Sequence, residues 1–576
     1  MKILSIFKGH SDPCVVIVEN GKILSYIEEE RILRYKHAFG LFPKYALKKA
    51  FSVLNITPND IDGIAVHWDL EKFSNGYMEN FYNEMYKNFD VDATTKSFHK
   101  RCLDVFNFEN LKKFYEKQWI RIFGNKYKLP PIYPVGHHFS HAYLACKHSP
   151  YKECLCITID GSGDENCTVL WKYSNNQFEK LYSINMPYSL GWFYAAITEY
   201  LGFKAYDGEY KVMGLAAYGA EDEKIRAAMD QLLHTAEDGI GYVLNPEYIF
   251  FGEHTFSERF TDKLPDLFGK EPRTENDNIE KWHENLAYAA QKKLEEAVLN
   301  IIKWGIKKTG ISNIAISGGV ALNIKMNSAI YNLDGVQSVY PHPLSSDSGC
   351  IVGAALYVDS MLSKSEPQKI ENLSFGPSYS DDEIESMLKL CQISYETPEN
   401  IYETTAKLIA DGKIIGWAQG GMEAGPRALG NRSILADPRA IASRDKVNAI
   451  IKFREYWRPF CPSILDEYKD LYFSKYIEAP FMIIAFKANE KLKREAPAIV
   501  HVDGTSRVQF VKEEANPPYH KLISEFYKLT NVPILLNTSF NIKGEPMVCS
   551  PQDCLRTFFA TGLDALVLNK YLIRKK

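Results

Sequence analysis

A chain of 576 residues is too long for one small module and has room for two large domains or several smaller ones. Its composition, 45% hydrophobic and 24% charged, can fill sizeable cores and excludes disordered and fibrous classes. With 68 basic against 72 acidic residues the net charge is −4, so no whole-molecule field favours a polyanion such as nucleic acid.

Residues 3–7 read as an apolar strand. Strands over 14–19 and 22–28 follow, joined by Asn20-Gly21, a dipeptide that accepts the positive φ of a type I′ hairpin turn. A helix over 44–54 and a strand over 63–67 complete a β-β-β-α-β order that resembles the opening of the actin-like ATPase fold. Residues 71–126, rich in Phe, Tyr and Lys at helical spacing, read as an inserted helical layer. A helix over 136–149 stops at Ser149-Pro150, and a strand over 153–159 runs into the loop Asp160-Gly-Ser-Gly-Asp164. Ile279, Trp282, Leu286, Leu294, Val298 and Ile301 share one face of a long helix that Gly305 or Gly310 ends. A strand over 313–317 then enters Gly318-Gly319, and two such strand-to-glycine units predict two half-domains around a nucleotide-sized cleft. The polar stretch 363–372, containing Pro367, carries no apolar period and marks a boundary between domains 1–362 and 363–576. The second domain alternates helices (381–391, 402–411) with strands (414–418, 481–486, 532–536), so the whole chain reads as α/β.

Several clusters carry chemistry. His137 and His141 stand at i and i+4, one face of a helix, where two imidazoles can chelate one cation. The zincin Glu is missing from the second position of this motif, which removes the general base of a metalloprotease. With Asp160 and Asp347 the pair would complete a mixed N/O site suited to iron or zinc, although Asp347 at a helix start can also be a simple cap. In the second domain, residues 420–439 concentrate glycine with Arg427, Arg432 and Arg439. Lys452, Arg454 and Arg458 follow among aromatic residues, and the guanidinium fork matches phosphate oxygens. Asp503-Gly-Thr-Ser-Arg507 and Asn537-Thr-Ser539-Phe-Asn541 are polar clusters at strand ends, where ligands of α/β sheets sit.

Added to Gly9-His-Ser-Asp12, Glu28-Glu-Glu-Arg31, Lys36-His37, Ser189-Leu-Gly-Trp192 and the run from Asp207 to Gly219, these segments resemble the O-carbamoyltransferases that decorate nodulation factors, aminoglycosides and cephem antibiotics. The likeness spans nearly the whole chain. It implies an N-terminal domain of actin-like ATPase (ASKHA) fold, similar to the metal-binding protein of tRNA threonylcarbamoyladenosine synthesis. The C-terminal α/β domain is similar to YrdC, which forms the carbamoyl adenylate there. On this resemblance the C-terminal domain takes carbamoyl phosphate and ATP with Mg2+, its phosphates held by Arg427, Arg432, Lys452, Arg454, Arg458 and Arg507. Asn537, Ser539 and Asn541 would bind nucleotide or carbamate.

The N-terminal domain would hold Fe2+ or Zn2+ on His137, His141, Asp160 and Asp347 and seat a nucleotide on the amides near Gly161, Gly163, Gly318 and Gly319, with Asn323. It would pass the carbamoyl group to a hydroxyl of a glycan, antibiotic or other secondary metabolite. The acceptor needs a base or orienting group, for which His10, Asp12, Lys36 and Asp207 are the candidates and His10 the preferred one. A threonylcarbamoyltransferase acting on tRNA is an alternative, disfavoured by the net charge and the want of a basic stretch. An actin-like chaperone or scaffold is another, and it leaves the histidine pair and the arginines unexplained.

Eleven scattered cysteines without a Cys-x-x-Cys pair argue against a disulfide framework and for a reducing cytoplasm. The N-terminal apolar run is too short for a signal peptide, and no stretch approaches the ~18 apolar residues of a membrane span. The expected partners are thus ATP, carbamoyl phosphate and a hydroxyl acceptor, with a homodimer compatible and neither nucleic acid nor membrane involved.

Overall fold

The computed structural model describes all residues except His10, 250–258, Arg454, Tyr456 and Lys576. Two expected site residues, His10 and Arg454, therefore lie outside the described residues. The chain divides into two compact units, one of residues 1–10, 16–24 and 55–369, the other of 11–15, 25–54 and 370–576.

In the first part of the chain, β1 (Lys2–Phe7), β2 (Cys14–Glu19), β3 (Lys22–Glu28), β4 (Gly63–Val66) and β5 (Ile132–Pro134) form a sheet in the order β3-β2-β1-β4-β5. Asn20 and Gly21 take φ of 51° and 74°, as a type I′ turn requires. A second sheet joins β6 (Glu153–Gly163), β7 (Asn166–Ser174) and β8 (Gln177–Asn185) to later strands, while β9 (Leu233–Thr235) and β10 (Tyr242–Leu244) make a separate ribbon. With β11 (Asn313–Ser317) and β12 (Ser338–Pro341) its order is β12-β11-β6-β7-β8. Counted along the chain, both sheets place their strands third, second, first, fourth, fifth. This duplicated order is the actin-like arrangement expected from the sequence. In both sheets the first, fourth and fifth strands run parallel, so their C-terminal ends collect on one edge.

Residues 71–126 fold almost wholly into helices, Leu70–Ser74, Tyr77–Asn88, Ala93–Phe106 and Phe108–Phe123. Phe73, Met78, Tyr82, Met85 and Val91 supply a core of their own, against which Trp68, Phe106 and Trp192 pack. The long helix is Lys281–Thr309, and Gly310 at φ 74° ends it. Gly305 lies inside it, because a Cβ there would stand 2.7 Å from a Leu170 methyl and 3.0 Å from one of Leu155; the missing side chain lets the helix lie close on β6 and β7.

The second unit is also α/β. Its seven-stranded sheet contains β13 (Ile415–Ala418), β14 (Arg432–Ala436) and β15 (Cys461–Leu465), while β16 (Phe486–Lys487) and β17 (Thr505–Ser506) form a small ribbon. Adding β18 (Gln509–Val511), β19 (Ile534–Ser539), β20 (Ala565–Leu568) and β21 (Tyr571–Arg574) gives the order β18-β15-β19-β14-β13-β20-β21. Pairing is mixed, with β13–β20 and β15–β18 parallel and β13–β14, β14–β19 and β15–β19 antiparallel. The expected strand over 481–486 is corrected. Residues 481–485 are buried but irregular, and only Phe486 pairs, since a short apolar run reports burial rather than backbone pairing.

Candidate active site

The helix His137–His148 begins beside the ends of β4 and β6, where Asp164 accepts from the amides of His137 and Asp69, and it carries His141 against Ser317 at the end of β11. His137 and His141, one turn apart on it, are both fully buried. Their Nε2 atoms face two carboxylates: His141 lies 3.2 Å from Asp160 and 3.7 Å from Asp347, and His137 lies 3.8 Å from Asp160 and 3.5 Å from Asp347. One ligand atom from each of the four falls within 4.8 Å of all the others. Neither Nε2 atom, nor Asp347 Oδ1, has a hydrogen-bond partner among the described residues. Buried polar atoms left unpaired in this way cost several kcal/mol as a group unless something binds them. The donor set and its orphaned atoms thus fit a divalent cation of the zinc or ferrous kind.

Electrostatics agree with the geometry. Burial opposes charge on Asp160, yet the two imidazoles hold it well below the ordinary carboxylate range. Burial and Asp160 oppose charge on Asp347, and His137 keeps it low as well. Burial likewise opposes a charged His137, but Asp347 and Asp160 lift it to about 10. The nearby Cys350 is different: burial holds its thiol protonated, and the thiol donates to the His137 carbonyl at 3.5 Å. The four-residue set is an N/O centre, and Cys350 Sγ also lies within 4.8 Å of ligand atoms of both imidazoles. The Asp347 side chain is 34% exposed and that of Asp160 15%, against 0% for both imidazoles, so an incoming group meets the carboxylate side.

The glycine segments serve this centre directly. The expected loop at 160–164 is instead a bulged continuation of β6, with the register shifted between Ile159 and Gly163. The amides of Gly161 (2.8 Å) and Gly319 (3.0 Å) donate to the Asp160 carboxylate, so they orient a ligand instead of standing open to a nucleotide. Gly318 has φ 92°, and Gly163 lies so close to the His137 ring that a Cβ would sit 2.2 Å from Cδ2. Asn323 caps the helix Ile324–Tyr331 and exchanges paired amide bonds with Gln291, which commits its side chain to the fold. Ser317 Oγ, at the end of β11, is 3.1 Å from His141 Nδ1 and fixes which nitrogen faces the centre. His138, the middle histidine of the motif, bonds Thr158 and the Asn166 carbonyl and is pushed down to about 3 by burial.

Sequence reasoning assigned no role to four residues around this part of the unit. Asp164 accepts from the amides of His137 (2.9 Å) and Asp69 (3.0 Å), tying the loop after β4 to the start of the histidine helix. That loop carries Trp68, whose ring is 4.8 Å from His137, and His67, whose ring is 5.7 Å from it. Arg259 is fully buried, its guanidinium 4.4 Å from the Trp192 ring and 5.1 Å from Tyr206, with Nε 3.5 Å from Glu199 Oε1. Asp207, one of the expected bases, follows Tyr206 in the same turn.

The other two described base candidates, Asp12 and Lys36, belong to the second unit. Asp12 Oδ1 is 2.8 Å from His37 Nδ1, and the amide of His37 donates to Glu30 at 2.7 Å. In that unit Lys452 donates to the Ser539 carbonyl and to the carbonyl and Oδ1 of Asn541, so these three residues do come together. Asn537 is buried beside them on β19, donating to Ala428 and Ser463 and leaving Oδ1 unpaired among the described residues. Arg507 donates to Cys461 Sγ, and Cys461 pairs with Asn537 across β15 and β19. Arg432 is buried with its donors spread over the carbonyls of Pro377, Gln419, Gly420, Asn431 and Cys549, so it ties loops together and does not point outward. Arg427, Arg458 and Arg507 are half-buried, and Arg458 Nη1 lies 3.7 Å from Glu455 Oε2.

Comparison with known proteins places this architecture. The family model described as the carbamoyltransferase N-terminus matches residues 2–356, and that of the carbamoyltransferase C-terminus matches 406–575. The uncharacterized protein sll1178 of Synechocystis sp. is 32% identical over 613 aligned residues, covering 100% of this chain and 96% of that protein. Nodulation protein NolNO of Sinorhizobium fredii is 34% identical over 573, covering 98% of this chain and 79% of that one. The 3'-hydroxymethylcephem-O-carbamoyltransferase of Amycolatopsis lactamdurans is 32% identical over 258, covering 45% of this chain and 48% of that enzyme. With both family patterns matched in order, and relatives aligned over almost its full length, the chain belongs to the carbamoyltransferase family.

Proposed function

We propose that this carbamoyltransferase converts carbamoyl phosphate and ATP to carbamoyl adenylate and then carbamoylates a hydroxyl of a glycan, antibiotic or other secondary metabolite. In the first reaction water cleaves carbamoyl phosphate to carbamate and phosphate, and a carbamate oxygen then displaces pyrophosphate from the α-phosphorus of ATP. In the second the acceptor oxygen bonds to the carbamoyl carbon, its proton passes to a base, and AMP leaves with the carbon–oxygen bond to its phosphate broken. The observation that carries the reading is the four-residue N/O centre at the sheet edge of the first unit, in a chain whose relatives include a named O-carbamoyltransferase.

A divalent ion on His137, His141, Asp160 and Asp347, Fe2+ or Zn2+ by donor type, would supply a Lewis acid for the charge that builds on departing AMP. The protein's own groups do the rest. Gly161 and Gly319 hold Asp160 in place, Ser317 sets His141, and Asp164 fixes the start of the helix that carries both imidazoles. In the second unit Arg427, Arg458 and Arg507, with Arg454 by sequence, would offset the repulsion between two phosphorylated substrates bound with Mg2+, around a floor made by Lys452, Asn537, Ser539 and Asn541. Asp207 in the first unit, and Asp12 and Lys36 in the second, are the described candidates for orienting the acceptor.

The test is incubation of the purified protein with ATP, Mg2+ and carbamoyl phosphate without acceptor. Pyrophosphate release and a carbamoyl adenylate mass, both dependent on both substrates, are expected, and His137→Ala should keep this step while losing transfer to acceptor sugars. Release of ADP and phosphate alone would refute the adenylate reading.

A further inference from the structure

His67 stands at the C-terminal end of β4, next to Phe7 at the end of β1, and is 3% exposed. Its ring packs on Phe7 (5.3 Å), Trp68 (5.8 Å) and His137 (5.7 Å), and the charges of Asp160, Asp347 and His141 all reach it. It is not one of the four ligands, because its nitrogens fall outside the cluster whose ligand atoms lie within 4.8 Å of one another. Yet neither Nδ1 nor Nε2 has a hydrogen-bond partner among the described residues. A buried imidazole always carries at least one N–H, and leaving it unpaired is a cost that packing alone would remove by placing Phe or Leu there. Among the other unpaired imidazole nitrogens in this neighbourhood, Nε2 of His137 and Nε2 of His141 face the carboxylates of the centre. His67 shares their burial and packs directly on the His137 ring, which is where a ligand at the centre would complete its bonding.

Resting on the transfer reaction proposed above, we infer that His67 is a substrate contact: one imidazole N–H donates to the carbamoyl oxygen, the atom on which negative charge grows as the acceptor adds. No proton is transferred. The bond orients the carbonyl and polarises it, and its energy increases toward the tetrahedral transition state.

The experiment uses the full chain, with 13C-carbamoyl adenylate generated on the enzyme from labelled carbamoyl phosphate and ATP, observed by isotope-edited infrared spectroscopy without acceptor. A donor on the carbonyl oxygen lowers its stretching frequency, so the bound band should move to higher wavenumber in His67→Phe and His67→Leu and return part of the way in His67→Gln, which keeps an N–H. Both apolar variants should bind one equivalent of metal as tightly as wild type. They should also melt at a higher temperature, because two unpaired buried nitrogens are gone. If either apolar variant folds and shows the wild-type band, or loses its metal, His67 is a packing or supporting residue and the inference fails. If wild type makes no carbamoyl adenylate, the functional reading fails, and this inference with it, so the two failures are told apart.

Discussion

At the level of single residues, the centre is built by close approach as much as by its ligands. Gly163 has no side chain because the His137 ring occupies the place where a Cβ would be, 2.2 Å from Cδ2 and 2.6 Å from Cγ. His137 cannot move away freely, being wedged against Trp68 at 4.8 Å and His141 at 4.9 Å. Gly163→Ala is therefore expected to rotate His137 off the shared cation position while leaving β6 intact. Supporting changes of this kind cost about 10–100-fold in metal affinity. Competition of the variant and wild type against a chromophoric chelator measures it, and unchanged affinity would show that the ring has room to yield.

At the level of elements, the four ligands meet because two helices cross without side chains between them. A Cβ on Gly353 would lie 2.0 Å from the Ser140 carbonyl and 3.0 Å from Leu144 Cβ, so the helix Asp347–Ser363 lies directly on the helix His137–His148. That contact sets where Asp347, the first residue of its helix, stands relative to the two imidazoles. Gly353→Val should push the helices apart, destabilise the fold by about 1–3 kcal/mol as overpacked cores do, and weaken metal binding through Asp347. Thermal melting with the same chelator assay checks both, and a destabilised variant with wild-type affinity would place the control of Asp347 elsewhere.

Much of this level was legible in the sequence. His137 and His141 could be read as a pair because a helix repeats every 3.6 residues, and the strand over 313–317 with its glycines could be read from punctuation. Convergence of Asp160 with Gly319 depends on the parallel pairing of β6 with β11, which no local pattern encodes. His67 was missed because one histidine at a strand end has no period, and only its unpaired nitrogens mark it. Arg432 and Lys452 looked like phosphate binders because sequence gives their charge but not the carbonyls that take up their donors.

At the level of the whole molecule, the linear boundary near 363–372 is not the boundary in space. The second unit includes residues 11–15 and 25–54, and several bonds inside that unit bind this early segment to the late one. The Tyr26 amide donates to the Phe375 carbonyl at 3.1 Å, and Arg31 donates to the Gly425 carbonyl at 2.9 Å. Arg34 donates to the carbonyls of Met547 and Pro546, at 2.6 and 2.7 Å, with Nε 3.3 Å from Asp553 Oδ1. Residues 370–576 expressed alone would lose all of these partners and expose the surface that residues 25–54 cover. A full chain cut once within 364–372, which is exposed or half-exposed and without regular structure, keeps them. The two pieces of the cut chain should therefore stay together through size-exclusion chromatography and separate only in denaturant. The isolated 370–576 piece should aggregate or be digested rapidly by protease. A soluble, protease-resistant 370–576 fragment melting as the intact chain does would show that the early segment decorates the second unit and does not complete it.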